Sequence, residues 1–381
     1  MHKIIHVGYF HRFDDGRIVR KECAALKDYF GADVTYITSD RNGDTKFSQL
    51  ENVKICVIPI VDKRFIRFFK YLIDVQRKIV NENPDVCHIH EFILLPLVTK
   101  LKKKKIKVII DLHENDLMDR SEQIKNKYGL FIGKIFYKFL CRYEKRVVKH
   151  SDGIISVTPQ IINRIERYGV TTALISNYPK LDEVPFIREY EEYSPFSRTV
   201  CFAGGISDLW NHKNVLSAIE KVDYCKYLLA GRSDSEYLQE LQQQKGWDAT
   251  EYLGVISHSE VINKIYFKSG IGLALMEYDK GWIGKDGTLG NTKLFEFMQA
   301  GLPVVCTDFK IWEDIIKKYK CGILVNPNSV IEIVKAIEWL QDNTKEAYKM
   351  GRNGHVAIVE EYNWEHEKKK LFKLYEKILK K

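Results

Sequence analysis

No window of the 381-residue chain reaches the roughly 18 uncharged apolar residues that a membrane-spanning helix needs, so none is expected. The opening residues, M-H-K-I-I-H-V-G-Y-F, contain no apolar h-region and no small-residue cleavage site, so a secretory leader is not expected either. Eight cysteines lie scattered at 23, 56, 87, 141, 201, 225, 306 and 321, with no C-x-x-C and no Cys/His cluster. That pattern argues against a disulfide framework or a zinc site and for reduced thiols, which places the protein in the cytoplasm. A G-x-G-x-x-G dinucleotide fingerprint is missing, as is a D-x-D pair; E-N-D (114–116) is the nearest approach to the latter. The basic residues come without aromatic stacking motifs, so nucleic acid is not an expected partner.

Charge is present but uneven. The formal net charge is +9; residues 1–190 hold 34 Lys/Arg against 24 Asp/Glu, whereas 191–381 hold 26 against 27. A basic half joined to a neutral half suits one domain facing an anionic surface or substrate, although a merely soluble basic surface gives the same numbers.

Short β-branched runs alternate with helical stretches along the chain. The first set is 3–10, 33–40, 53–60, 85–90, 107–113 and 153–158; the second is 198–204, 225–231, 250–254, 270–276, 302–308 and 322–326. Near-continuous apolar runs of this length predict parallel sheets covered on both faces, hence two doubly wound α/β domains. Residues 181–197, with prolines and acids and no periodicity, read as a linker between a domain at 1–180 and another at 198–365. A charged amphipathic helix at 366–381 closes the chain. Ligands of such sheets bind at the carboxyl ends of the strands.

Four stretches carry candidate chemistry there. In H-R-F-D-D-G-R (11–17), Gly16 can let backbone N–H groups approach an anion, or Asp15 can simply cap the next helix. In D-L-H-E-N-D (111–116), His113 leaves a strand with carboxylates on either side to orient it; His88 and His90 in C-H-I-H-E are the alternatives, and His113 is preferred. In F-A-G-G-I-S-D-L-W-N-H-K-N (202–214), Gly205 and Lys213 suit a phosphate, a solvated lysine being the plain alternative. In G-N-T-K-L-F-E (290–296), Gly290, Asn291 and Thr292 present N–H groups at a helix start. Lys293 adds a cation there, and Glu296 stands one turn on as an acceptor for sugar hydroxyls. The plain reading is an exposed i, i+3 ion pair contributing about 0.3 kcal/mol.

Together D-L-H-E (111–114), I-S-N-Y-P (175–179), F-A-G-G-I-S (202–207), Y-L-G-V-I-S (252–257) and N-T-K-L-F-E-F-M-Q-A-G-L-P-V-V (291–305) resemble the glycosyltransferases of family 4. The resemblance runs from the first strand to the tail helix. It implies a GT-B fold, two Rossmann-like domains facing across a cleft, with the C-terminal helix returning to the first. By the resemblance, Glu296 holds the donor ribose, and Thr288, Leu289, Gly290, Asn291 and Thr292 support the donor sugar and phosphates. Lys213 neutralises the diphosphate, His113 sits beside the transferred sugar, Val255 and Ile256 meet the base, and Gly16 lies near the phosphate. Two features depart from the family pattern. Thr288 stands where the first Glu of the Glu-x7-Glu motif belongs, and the arginine usual shortly before Lys213 is missing. Lys213, Lys293, Arg232 and Lys285 therefore compete as phosphate cations. The implied activity is retaining transfer of a sugar from a UDP- or GDP-sugar to a glycan or lipid-linked glycan in bacterial surface polysaccharide synthesis, with no cofactor and no obligatory metal. A GT-B-like nucleotide-sugar epimerase and a non-catalytic two-domain sugar- or nucleotide-binding protein are the alternatives.

Two basic amphipathic stretches bear on the acceptor. In 63–80, Phe65, Phe69, Leu72, Ile73, Ile79 and Val80 form one face and Arg67, Lys70, Asp74 and Lys78 another; 131–149 is similar, with six basic residues. Such helices can lie on an anionic membrane, or pack their apolar faces against the first sheet.

Overall fold

The computed structural model describes residues 1–40, 48–60, 64–113, 116–184, 186–278 and 284–380, without the side chains of 64 and 65. Two compact units emerge: 1–177 with 366–381, and 178–365.

The first unit is built on strands β1 (Lys3–Val7), β2 (Asp33–Ser39), β3 (Gln49–Leu50), β4 (Val53–Ile58), β5 (Val86–Ile89), β6 (Lys107–Leu112), β7 (Gly153–Ser156) and β8 (Thr172–Leu174). They form one sheet in the order β3-β4-β2-β1-β5-β6-β7-β8, parallel except for β3 against β4. Helices α1 (Ala24–Phe30), α2 (Arg64–Glu82), α3 (Pro96–Lys103), α4 (Asp116–Tyr128), α5 (Leu130–Val148) and α6 (Pro159–Glu166) link the strands. β1, β2 and β5 to β7 are the buried apolar runs that the sequence pattern demands; Ile4, Ile5, Val108, Ile109 and Ile110 have no exposed surface. The sequence pattern misses β3 and β8, which have two and three residues and too little periodicity to register.

The second unit carries β9 (Thr199–Ala203), β10 (Lys226–Ala230), β11 (Thr250–Tyr252), β12 (Ile271–Ala274), β13 (Val304–Thr307) and β14 (Gly322–Val325) in the fully parallel order β11-β10-β9-β12-β13-β14. Its helices are α7 (Tyr190–Tyr193), α8 (His212–Ile219), α9 (Ser235–Gln242), α10 (His258–Lys264), α11 (Lys293–Gln299), α12 (Lys310–Tyr319), α13 (Val330–Asp342) and α14 (Thr344–Glu360). The strand order reverses at β9 in this unit and at β1 in the other, which creates the crevice at the carboxyl ends of the strands where ligands of such sheets bind.

The last helix, α15 (Trp364–Leu379), packs on the first unit. Its Tyr375 hydroxyl lies 2.9 Å from His88 Nδ1, Phe372 stacks on Tyr29 at 4.0 Å, and the Lys107 ammonium donates to the Ile378 carbonyl.

Two expectations need correction. Residues 181–197, apart from the undescribed position 185, fall within the second unit and are anchored to its core at Arg188 and Tyr193. Tyr193 is buried and donates to the Gly270 carbonyl, while Arg188 donates to the carbonyls of Phe267 and Ser269. Proline and acid content hides these contacts because the backbone between them is irregular. In α2 the apolar face divides. Tyr71, Leu72, Val75 and Ile79 are buried, whereas Ile66, Phe69 and Ile73 face solvent. Phe65 and Lys63 lie outside the described side chains.

Candidate active site

In the second unit the chain between β12 and α11 arranges its own polar groups. Thr288 Oγ1 accepts the Gly290 N–H at 3.0 Å, and Asn291 Oδ1 accepts the Lys293 N–H at 3.0 Å. The Gly290 N–H expected to be open to an anion is therefore engaged within the loop. Thr288 is buried, and its carbonyl accepts from the Trp312 indole at 2.9 Å. At the position of the absent carboxylate, a threonine thus sets the shape of the loop.

Glu296 is the centre of this arrangement. One oxygen accepts from the Lys293 ammonium (2.7 Å) and the Tyr266 hydroxyl (2.6 Å), the other from the Thr292 hydroxyl (2.6 Å). The lysine and glutamate side chains are only 18 % and 14 % exposed, so this is no solvent-screened surface pair. Burial alone would raise the carboxyl pKa; the Lys293 charge and the three hydrogen bonds outweigh it and hold it at about 2. Burial, then the Glu296 charge, push the Tyr266 phenol well up, so it stays a donor.

The β9 and β10 exits lie against this pair. A Cβ on Gly204 would meet Lys293 Cε at 3.0 Å, so the lysine stem runs over that glycine. Gly231, at φ +141°, has the Gly204 carbonyl where a Cβ would stand, 1.7 Å away. Only glycine fits there, and the contact joins two loops that also exchange the Ile206 N–H to Arg232 carbonyl bond. Gly205 opens to free space beside them.

The competing cations separate. Lys213 stands on the first turn of α8 bound to Glu240 (2.6 Å), with Asp208 at 3.8 Å and the Tyr237 ring beneath it. Lys285 is exposed near Asp308 (3.9 Å), and Arg232 is exposed with no ion pair among the described residues. Lys293 is the one that shares a buried carboxylate with the loop. Val255 is exposed, while Ile256 packs partly on the core.

In the first unit, a polar layer fills the sheet face under the β1, β5 and β6 ends. Asp111 Oδ2 takes hydrogen bonds from Arg17 Nη2 (2.9 Å) and Nε (3.2 Å) and lies 3.0 Å from His113 Nε2. Arg17 also donates to the Ile175 carbonyl. Burial would raise the Asp111 carboxyl, but Arg17 and His113 hold it well below its usual range. His90 lies 3.4 Å from His113 and 2.8 Å from His6, and burial pushes its pKa down to about 4. His6, Glu22, His88 and His90 bring ligand atoms within 4.8 Å of one another, as do His90, Asp111 and His113, and the Arg17 guanidinium supplies the cation that pairs with the carboxylates of both groups.

A cavity of about 310 Å³ opens above this layer, lined by Phe10, His11, His90, Glu91, Phe92, Ile93, His113, Asp116 and Arg120. Glu91 receives the N–H groups of Tyr9 and Phe10, which fixes the loop that carries His11. His11 stacks obliquely on His113 (4.9 Å) and binds Asp15 at 3.0 Å. Burial opposes its proton, but Asp15 and then Glu91 raise its pKa. The Gly16 expectation is corrected in part: Asp15 Oδ1 accepts the N–H groups of both Arg17 and Ile18, so those two donors are engaged within the loop rather than open to an anion. His90, set aside for His113 in the sequence reading, lines the same cavity. Glu114 lies outside the described residues.

Comparison with known proteins agrees with the two-unit geometry. The profile described as Glycosyltransferase Family 4 matches residues 16–177, and that described as Glycosyl transferases group 1 matches 187–356. The chain is a family 4-like glycosyltransferase of the GT-B fold. An uncharacterised glycosyltransferase of Methanocaldococcus jannaschii is 22% identical over 299 residues, covering 74% of this chain and 71% of that one. Among solved structures, sucrose-phosphate synthase from Thermosynechococcus elongatus superposes with a TM-score of 0.77 at 16% identity, over 100% of both chains. Anabaena HepE in complex with UDP and glucose gives 0.75 at 11%, over 99% of this chain and 100% of that one. At such identities the structures share the fold.

Several groups of this glycosyltransferase's site escaped the sequence reading. Tyr266 donates to Glu296 from 30 residues away, and no local pattern announces it. Arg17 closes the quoted stretch H-R-F-D-D-G-R, where nothing local points to its partner Asp111. His11 and Glu91 stood directly beside quoted motifs, at the same strand exits, and that position was the available signal.

Proposed function

We propose that the enzyme transfers a sugar, with retention of anomeric configuration, from a UDP- or GDP-sugar to a glycan or lipid-linked glycan of a bacterial surface polysaccharide, at the inner face of the plasma membrane. The observation that carries this reading is the Glu296 constellation: a buried ionised carboxylate, a lysine and two hydroxyls at the head of α11, beneath the β9 glycines. An ionised carboxylate takes two hydroxyl donors at once, as the cis-diol of a ribose provides. The complex of Anabaena HepE with UDP and glucose supports a nucleotide-sugar donor by analogy.

As the diphosphate leaves, negative charge grows on its outer phosphate. Lys293 can swing from Glu296 to that charge as ribose hydroxyls replace the lysine on the carboxylate. Stabilisation aimed at developing charge is what lowers the barrier. In the other unit, Asp111 accepts the Nε2–H of His113, which leaves Nδ1 as the acceptor for a sugar hydroxyl in the cavity. In retention the leaving phosphate itself removes the acceptor proton, and no metal is required.

The test is incubation with UDP- and GDP-sugars and a glycan or lipid-linked glycan acceptor, with NMR of the glycosidic bond formed. Release of UDP or GDP with a sugar product of the donor's anomeric configuration is expected. Inverted product contradicts retention. An epimerised nucleotide sugar, or binding without turnover across both donor classes, overturns the reading.

A further inference from the structure

The first unit exposes apolar side chains where a soluble helix would be polar. On the α4–α5 hairpin, Tyr128, Leu130, Phe131, Ile132, Ile135 and Phe139 all face solvent, with Phe131 77 % and Phe139 60 % exposed. Residues 131, 135 and 139 recur every four positions, so they form one stripe along the first half of α5. The inner side of the same helix is already satisfied. Gly133 lies against Lys125 of α4, and Leu140, Val147 and Val148 are buried. Packing on the sheet therefore does not account for the stripe. A second stripe, Ile66, Phe69 and Ile73, faces outward on α2; α2 packs on α3 and α3 on α5, so all three share one helical layer.

Charge selects the occupant. From 130 to 149 every charged residue except Glu144 is Lys or Arg, six in all. Glu144 is buried on Arg164 at 2.9 Å, so no exposed acid interrupts the positive field. A second copy presenting the same six cations would be repelled. An anionic bilayer satisfies both halves: apolar side chains enter the boundary between head groups and acyl chains, and each nearby cation adds about 1 kcal/mol. No described helix is long and apolar enough to cross a membrane, so the contact is one of lying on the surface.

We propose that the outward face of α5 from Leu130 to Arg142, continued by the α2 stripe, is the surface by which the enzyme docks on an anionic lipid bilayer. This builds on the lipid-linked acceptor reading. Asp116 and Arg120 of α4 line the cavity, and α4 ends at Tyr128, so one helix joins the docking face to the pocket. From Arg120 to Tyr128 is about 12 Å along the helix axis.

The experiment is co-sedimentation of the full chain with vesicles of phosphatidylglycerol and phosphatidylcholine, and with phosphatidylcholine alone. Binding to the anionic vesicles only, weakening as salt rises, is expected. The double variant Phe131→Ser/Phe139→Ser should bind at least about tenfold more weakly, and Lys134→Glu/Lys138→Glu should lose the salt-sensitive part. Both variants change exposed side chains and should keep the wild-type melting temperature and its shift by nucleotide. No binding to anionic vesicles, equal binding to both vesicle types, undiminished binding by the Phe double variant, or self-association through this face in its place overturns the proposal. Nucleotide shift and sugar release are read separately, so loss of vesicle binding with turnover intact sinks the docking surface alone, and the reverse sinks the catalytic reading alone.

Discussion

A carboxyl group taken out of water gains proton affinity, yet Glu296 stays ionised because Lys293, Thr292 and Tyr266 all donate to it. The lysine and glutamate were visible in the sequence as an i, i+3 pair. Their burial was not, because it depends on Tyr266 arriving from the far side of β12. The account predicts that Tyr266→Phe keeps the fold but weakens nucleotide binding about 10- to 100-fold, the loss of one hydrogen bond to a charged group, as measured by calorimetric titration. Asp111 is legible as the residue two before His113, but its clamp by Arg17 is not, since 94 residues separate them. For Asp111→Asn we expect kcat to fall about 100-fold through a misoriented imidazole, with nucleotide affinity unchanged because that site belongs to the other unit. An equal loss of nucleotide affinity would show that Asp111 serves general stability and not the orientation of His113.

Among elements, the long parallel strands were legible because residues buried on both faces leave continuous apolar runs. The helix faces were legible only in part. The 3.6-residue period of α2 marks apolar positions without telling which of two stripes meets the sheet, and Phe69 and Ile73 fell on the outer one. The loops after β9 and β10 depend on a contact no pattern encodes, that of Gly231 with the Gly204 carbonyl. Replacing Gly231 with Ala adds a backbone clash to the roughly 1–3 kcal/mol of an unfavourable φ. The melting temperature should drop, and nucleotide affinity should drop with it, since Lys293 runs over Gly204. An unchanged melting temperature would show that the two loops are not locked together.

The molecule as a whole pairs two units of unlike electrostatics. The basic excess of residues 1–190 was plain from composition, whereas the burial of His6 on β1 against His88 of β5 and His90 just beyond it was not. Burial lowers His6, His88 and His90, the last to about 4 from 6.5. Groups so depressed contribute stability that is complete above pH 6.5 and is lost as pH falls toward 4. In the same unit His11, Glu22, Glu91, Asp116 and Glu144 are raised and act in the opposite sense, so the two sets offset one another. In the second unit burial lowers His212 to about 3, so stability there also falls from pH 6.5 downward, and Glu296, at about 2, adds its loss only below pH 4.5. Acid titration followed by hydrogen exchange should therefore show the second unit losing protection from pH 6.5 downward, and more steeply below pH 4.5. Unchanged protection of the second unit between pH 6.5 and 4.5 would refute this.

The central claim is that a nucleotide sugar binds at the head of α11 through Glu296 and Lys293. A melting-temperature panel with UDP, GDP, ADP and dTDP tests it most directly, because a ligand that binds only the folded state raises stability by mass action. One nucleotide, UDP or GDP, should raise the melting temperature of the wild type, and Glu296→Ala and Lys293→Ala should each reduce that rise. A full rise in both variants, or no rise with any of the four nucleotides, would contradict it.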